Sequence, residues 1–488
     1  MMKKPNIIFI LIDDMGWQDL SCSGSTFYET PHIDSLQNQG MMFTQGYAAA
    51  PVCSPSRASI MSGKYPVSTG VTDWINHIRP SDSKFGNCRG RLMDAPYLDH
   101  LPLEEFSMAS ALRDGGYQTW HVGKWHIGKE TWYPENHGFD RNIGGCFTGS
   151  PGIGGYFSPW TIETLKDAAV PEGTYLTDYL TDQTLDLLKE RNKEQPFFLN
   201  LWYYSVHTPI EAKKEKIRKY EEKAHKMGLD KIETFENGDF FPSERKKNKH
   251  IRRRLVQSDP VYAAMIESLD ENIGRLLEEL KKQNLIEETL IVFTSDNGGL
   301  STAEGSPTCN LPLAEGKGWM YEGGVREPLL ISWPGTVRSG SFCSEPVTSP
   351  DFYPTLLEAA GLPMRPDQHR DGVSLMPLLK GSGSLNREAL FWHYPHYGNQ
   401  GGTPGSSVLM YPWKLIEFFE EGRLELYNLD EDPGENTNKA DEEVVLTVEM
   451  RDRLHEWQKK TGALIPDKNP DFAPWSSAHK ERGFQPWD

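Results

Sequence analysis

Pro5-Asn6-Ile7-Ile8-Phe9-Ile10-Leu11-Ile12-Asp13-Asp14 sets six apolar residues in a row and stops them at two carboxylates. Six is too short for a secretory apolar region or a membrane span. An unbroken β-branched and aromatic run of this length fits a strand buried on both faces. Similar runs recur at Gln118–Val122, Phe197–Tyr203, Leu290–Thr294 and Pro328–Ser332, and all are expected to be buried parallel strands. Helical patterns separate them at Ser107–Asp114, Thr177–Glu190, Val261–Gln283 and Phe352–Ala360, the last followed by Gly361 as a C-cap. Strands alternating with helices predict an α/β domain with helices on both sheet faces, and ligands then gather at the carboxyl ends of the strands.

Past residue 380 the pattern changes. Trp413–Phe419 and Leu424–Leu429 read as a hairpin and Glu442–Lys459 as a final helix. The expected organisation is a domain over 1–380 and a smaller α+β unit over 381–488 carrying an antiparallel sheet. Within the first, 211–258 is dense in charge, including Lys246-Lys247 and Arg252-Arg253-Arg254, and reads as a solvated helical insertion.

The 488 residues carry a net charge of −18, which argues against a nucleic-acid partner held by phosphate neutralisation; an anionic ligand would need a concentrated basic pocket. Six cysteines at 22, 53, 88, 146, 309 and 343 form no CxxC pair or compact framework, which suits a reducing compartment. With no membrane span or leader in view, the expectation is cytoplasmic, or periplasmic or secreted if the sequence is a mature or trimmed form.

Asp13-Asp14 ends the first strand, and Ser295-Asp296-Asn297-Gly298-Gly299 follows the apolar run Leu290–Thr294. Two acidic strand ends in one sheet supply hard oxygen donors for a shared Ca²⁺ or Mg²⁺. Taken singly, the first pair also reads as a helix cap and the second as a turn on Asn297-Gly298. Cys53-Ser54-Pro55-Ser56-Arg57 precedes an amphipathic stretch starting at Ala58. A helix N-terminus beside Arg57 would acidify the thiol and hold an anion, although a lone cysteine also reads as packing.

The string Cys-x-Pro-Ser-Arg at 53–57, continued by Met61-Ser62-Gly63-Lys64-Tyr65-Pro66, resembles the signature of type I, formylglycine-dependent sulfatases. The opening strand, Gly123-Lys124-Trp125-His126, Ser295-Asp296-Asn297-Gly298 and Gly316-Lys317 occur in that family's order. The resemblance covers essentially the whole chain. It implies an alkaline-phosphatase-like mixed, mostly parallel sheet flanked by helices, with a smaller C-terminal domain. It also implies that Asp13, Asp14, Asp296, Asn297 and Cys53, modified to formylglycine (3-oxoalanine), hold one divalent cation, usually Ca²⁺, with Mg²⁺ as the alternative. Arg57 would steady the formylglycine, and Lys124, His126, His207 and Lys317 would surround the sulfate. His207, with Lys317 assisting, would protonate the departing alkoxide, and His126 would take the proton that lets sulfate leave. The implied partner is an oxygen-dependent formylglycine-generating enzyme or an anaerobic maturase.

For the leaving group, Asp73, Trp74, His77, Trp160 and His393 are the candidate sugar contacts. Thr72-Asp73-Trp74 with Gly144-Gly145, Gly149-Ser150-Pro151 and Tyr156-Phe157-Ser158-Pro159 resembles a branch of bacterial carbohydrate sulfatases, some acting on 4-sulfated galactose or N-acetylgalactosamine. Two other readings stand beside this one. One is a phosphate-ester or phosphonate hydrolase of the same superfamily, whose members commonly use two metals; the other is a sulfated-glycan binding protein without turnover.

Overall fold

A computed structural model describes residues 4–75, 90–243, 246–470 and 472. At its centre lies a nine-stranded sheet. The opening strand, Asn6–Ile12, runs parallel between Phe197–Trp202 and Thr289–Ser295, with Ile7 opposite both Phe198 and Leu290. Gln118–Gly123 and Arg141–Ile143 continue the parallel set beyond Phe197–Trp202. Alternation along the strand divides the core. Ile8, Ile10 and Ile12 pack with Leu180, Leu187, Met265 and Leu269, whereas Ile7, Phe9 and Leu11 pack with Ile60, Met108, Phe352 and Leu356. Burial on both faces explains why the run contains no polar residue.

Helices form close to where their signals lie. Ser107 caps Met108–Asp114 by accepting the Ser110 amide at 3.0 Å. Asp259 caps Pro260–Lys282 through the amides of Val261 and Tyr262, with proline in the first turn. Leu176–Glu190 and Phe352–Ala359 complete this group, and Gly361 follows the latter at φ 64°.

Two expectations need correction. Arg326–Ser332, read as parallel, runs antiparallel to both Thr289–Ser295 and Met41–Tyr47. Parallel neighbours need a crossover, usually a helix laid across the sheet. Between 296 and 325 the only helix is the single turn Glu322–Val325, so this segment stays above the strand ends and the next strand runs back down. Among its described residues, the charged segment 211–258 has an α-helix at Lys214–Met227 and a 3-10 turn at Leu229–Lys231, while Phe235–Phe240 and His250–Arg254 form an antiparallel ribbon.

In the C-terminal part, Leu390–Tyr394, Gly405–Met410, Trp413–Phe418 and Arg423–Asn428 form a four-stranded antiparallel sheet covered by the helix Val444–Thr461. Lys414 joins this sheet to the rest. Its buried ammonium lies 2.9 Å from Glu322 and 3.0 Å from Glu435. Glu322 belongs to the turn that closes the Lys317-bearing segment, so the small sheet braces the large one beside the strand ends. No helix among the described residues is long and apolar enough to cross a membrane.

Candidate active site

Four parallel strands deliver functional groups from their carboxyl ends. Asp13 and Asp14 follow the first, Lys124 follows Gln118–Gly123, Ser205-Val206-His207 follows Phe197–Trp202, and Asp296-Asn297 follows Thr289–Ser295. Gly123 makes the exit to Lys124 possible: it has φ 106°, and a Cβ there would lie 1.9 Å from the Trp202 carbonyl oxygen. Asp14 enters the left-handed region at φ 64°, at a cost of about 1–2 kcal/mol. Each buried side chain of Ile7–Ile12 stabilises the strand by about 1.5–3 kcal/mol, so packing outweighs that strain and holds Asp14 in place.

Cys53 begins the helix Cys53–Ser62. The sequence predicts an amphipathic stretch from Ala58, but the helix starts five residues earlier and all ten of its residues are buried. Ser54 fixes its approach, donating Oγ to the His126 carbonyl at 2.8 Å and accepting the Ile75 amide at 3.0 Å. Arg57 donates Nε to Asp296 Oδ2 at 2.8 Å and Nη1 to the Lys124 carbonyl at 3.0 Å, while Nη2 lies 3.6 Å from Asp13. It therefore ties the cysteine helix to three strand ends.

Lys124 donates to both oxygens of Asp13, at 2.9 and 2.7 Å. Lys317 donates to Asp14 Oδ2 at 2.7 Å, and Asn297 donates Nδ2 to Asp14 Oδ1 at 2.8 Å. The charged groups are buried, and buried charges persist only when paired. His207 Nε2 lies 3.6 Å from Asp14 Oδ2. Donor atoms of Asp13, Asp14, Cys53 and His207 all lie within 4.8 Å of one another. Burial would raise the Cys53 thiol, but Lys124 and Lys317 outweigh it and bring the thiol down to about 7. Burial and Lys317 press against the charged form of His207, yet Asp14 and Asp13 hold its pKa above the ordinary histidine range. Burial also opposes ionisation of Asp14 and Asp296; Lys317 lowers Asp14, and Arg57 lowers Asp296.

Asn297 Oδ1 is buried and has no hydrogen-bond partner. Its amide nitrogen is committed to Asp14, which aims the oxygen away from that bond. Beside three buried carboxylates, such an oxygen fits a hard divalent cation, as the sequence suggests for Asp13, Asp14, Asp296 and Asn297.

His126 lies one step from this cluster, at φ 59°, with Nε2–H donated to the Ile75 carbonyl at 2.9 Å. Gly149 closes over its ring, where a Cβ would lie 2.4 Å from Cε1.

The candidate sugar contacts divide. Asp73 is buried close enough to Cys53 to feel its charge, and accepts the Tyr394 hydroxyl at 2.7 Å and the Trp74 amide at 2.8 Å. Burial pushes this carboxyl up to about 8. Trp74 is half-buried against the cluster containing Val52 and Tyr394. Trp160, by contrast, is a core residue: 4% exposed, with its ring 4.9 Å from Tyr179 and its N–H on the Tyr156 carbonyl. His393 is also internal, with Nδ1 at 2.6 Å from Ser406 Oγ and Nε2 at 3.1 Å from the Leu464 carbonyl. Both His393 nitrogens are thereby engaged, whereas Trp160, with its N–H engaged, also lines a cavity of about 310 Å³ together with Pro159, Leu165 and Val170. His77 lies outside the described residues. Sequence reasoning missed the roles of Tyr394, which holds Asp73, and of His396, whose Nε2 lies 2.9 Å from Thr72 Oγ1. Both belong to the stretch His393-Tyr394-Pro395-His396, whose tyrosine and second histidine make these contacts.

The sulfatase family profile matches residues 5–362. The chain belongs to the sulfatase family. A second profile, the C-terminal region of N-sulphoglucosamine sulphohydrolase, matches residues 315–460 of this sulfatase. It is 31% identical to a sulfatase of Formosa agariphila over 94% of this chain and 90% of the relative. It is 30% identical to human arylsulfatase A over 98% and 91%, and 29% identical to human N-acetylgalactosamine-6-sulfatase over 80% and 68%. Among solved structures it resembles Ps i-CgsB in complex with k-i-k-neocarrahexaose, with TM-score 0.73, 27% identity and coverage of 98% and 96%. A phosphonate monoester hydrolase of Agrobacterium radiobacter shares the fold at TM-score 0.61 and 21% identity, covering 94% and 96%. The mixed sheet with its C-terminal antiparallel partner is thus the alkaline-phosphatase-like architecture, and the reaction class is sulfuric ester hydrolysis.

Proposed function

We propose that this sulfatase removes sulfate from a sulfated carbohydrate, with residue 53 as nucleophile after oxidation of Cys53 to formylglycine. The observation that carries the reading is the placement of Cys53 at a buried helix start, with its sulfur and the donor atoms of Asp13, Asp14 and His207 within 4.8 Å of one another. Asp13, Asp14, Asp296 and Asn297, with residue 53, would hold a divalent cation, Ca²⁺ or Mg²⁺. The cation would supply Lewis-acid stabilisation of charge on the sulfate oxygens. Oxidised to formylglycine by a maturase, residue 53 would supply a hydrated aldehyde as nucleophile, which can release sulfate by returning to the aldehyde.

The remaining chemistry falls to the chain's own side chains. Lys124 and Lys317 neutralise an entering sulfate, and in water-poor surroundings such charges act strongly. His207 donates Nδ1–H to the Thr208 carbonyl at 2.7 Å, which orients Nε2 toward Asp14 and Cys53. From there the imidazolium protonates the departing sugar oxygen, an effect worth roughly 10²–10⁴-fold. His126, with Nε2–H given to Ile75, keeps Nδ1 as its basic nitrogen and accepts the proton that lets sulfate leave.

The sugar is read as 4-sulfated galactose or N-acetylgalactosamine, cleaved from a chain end. The carbohydrate names among the relatives support the class, and the Thr72-Asp73-Trp74 segment close to Cys53 supports the branch. The test is a panel of sulfated monosaccharides, aryl sulfates and matched phosphate monoesters. Sulfate release from the 4-sulfated sugars should exceed phosphate release. Preference for 6-sulfated glucosamine would defeat the branch, and preference for phosphate would favour the phosphoesterase reading.

A further inference from the structure

The segment between Asn297 and Lys317 carries a side chain held at some conformational cost. Glu304 has φ 54° and Ser306 φ 45°, a region that favours glycine. The ribbon beneath fixes this bend: the Arg254 amide donates to the Ser301 carbonyl at 3.0 Å, and Ser306 Oγ donates to the Arg252 carbonyl at 2.9 Å. Although Glu304 is exposed, its carboxylate is pinned. Oε1 accepts Asn399 Nδ2 at 2.8 Å and Gln400 Nε2 at 2.9 Å, both from the C-terminal part. Oε2 accepts the Thr208 hydroxyl at 3.4 Å, next to His207. The same charge bears on the Lys317 ammonium. An exposed carboxylate is thereby fixed on the side where His207 would meet the departing sugar.

A carboxylate offers about four lone-pair sites, and the two amide donors engage only Oε1. Oε2 accepts only the long Thr208 bond and keeps a lone pair for a further hydroxyl donor. A polar group built to meet a substrate hydroxyl discriminates against ligands lacking it, because it loses its water without gaining a partner. Its charge also repels a second sulfate or carboxylate nearby.

We propose that Glu304 determines specificity, accepting hydrogen bonds from hydroxyls of the sugar that bears the scissile sulfate and rejecting a second anionic group on that sugar. The proposal rests on the reading of this protein as a carbohydrate sulfatase. A loop brace alone would need the Asn399 and Gln400 contacts, which Glu304→Gln can keep through its amide oxygen; that variant removes the charge.

Galactose 4-sulfate and galactose 4,6-disulfate are compared in two ways: kcat/KM on the matured enzyme, and dissociation constants on protein with unoxidised Cys53, where turnover plays no part. Glu304→Gln should lower kcat/KM and affinity for the monosulfate by about tenfold and raise the disulfate-to-monosulfate ratio by about as much, with the melting temperature unchanged. Equal effects on both ligands, or none on either, would overturn the proposal. If wild type releases no sulfate from any ester, the functional reading fails. The binding comparison still decides the role of Glu304.

Discussion

Asn297 gives its amide N–H to Asp14 Oδ1 at 2.8 Å, and that bond leaves Asn297 Oδ1 buried without a partner. On the proposed cation site, removing the side chain would delete one ligand and the donor that orients another. Asn297→Ala should lower Ca²⁺ affinity by about tenfold or more. The check is the rise of melting temperature on Ca²⁺ addition, since a ligand bound only to the native state stabilises it in proportion to the logarithm of its saturation. A Ca²⁺ response equal to wild type would remove Asn297 from the cation site.

Lys414 is buried between Glu322 and Glu435. Lys414→Met would leave two carboxylates facing each other without a cation, a change that costs about 3–5 kcal/mol when a buried pair is broken. Denaturant unfolding should register that loss, and kcat should fall with it because Glu322 closes the Lys317 segment. A loss below about 1 kcal/mol would mean that the network does not brace the two parts.

Asp73, which lies outside the proposed cation set, provides a pH test through its own burial against Tyr394. Burial raises its folded-state pKa to about 8, above the ordinary carboxylate value near 3.9. Its contribution to stability is therefore complete below the unfolded value and is lost as pH rises through about 8. Asp73→Asn cannot ionise. Its melting temperature relative to wild type should climb between about pH 4 and about pH 8 and level off above that. A difference independent of pH would show that the carboxyl titrates normally.

Much of the site was legible because its residues stand at strand ends. Asp13-Asp14 and Asp296-Asn297 each terminate an apolar run, and strands in one sheet bring such termini together. Cys53 was legible through its motif, although its helix began earlier than an amphipathic pattern indicates. A helix buried on every side has no polar face to mark its start. The strand Met41–Tyr47 was missed because Thr44 and Gln45 interrupt its apolar run. The reversed direction of Arg326–Ser332 depends on the path of the preceding segment above the sheet, which local composition does not encode. Trp160 and His393 illustrate a further limit: a ring suited to stacking on a sugar is equally suited to packing on Tyr179, and an imidazole finds partners in Ser406 and Leu464. The pairing of Asp73 with Tyr394, far apart in sequence, exists only once the small sheet docks.

The central claim is that residue 53 works as an oxidised cysteine. The most direct measurement is the mass of the peptide containing residue 53, taken from enzyme produced with a maturase and shown to release sulfate. The account predicts the aldehyde or its hydrate, in a fraction that tracks specific activity across preparations. An intact thiol at residue 53 throughout fully active enzyme would contradict it.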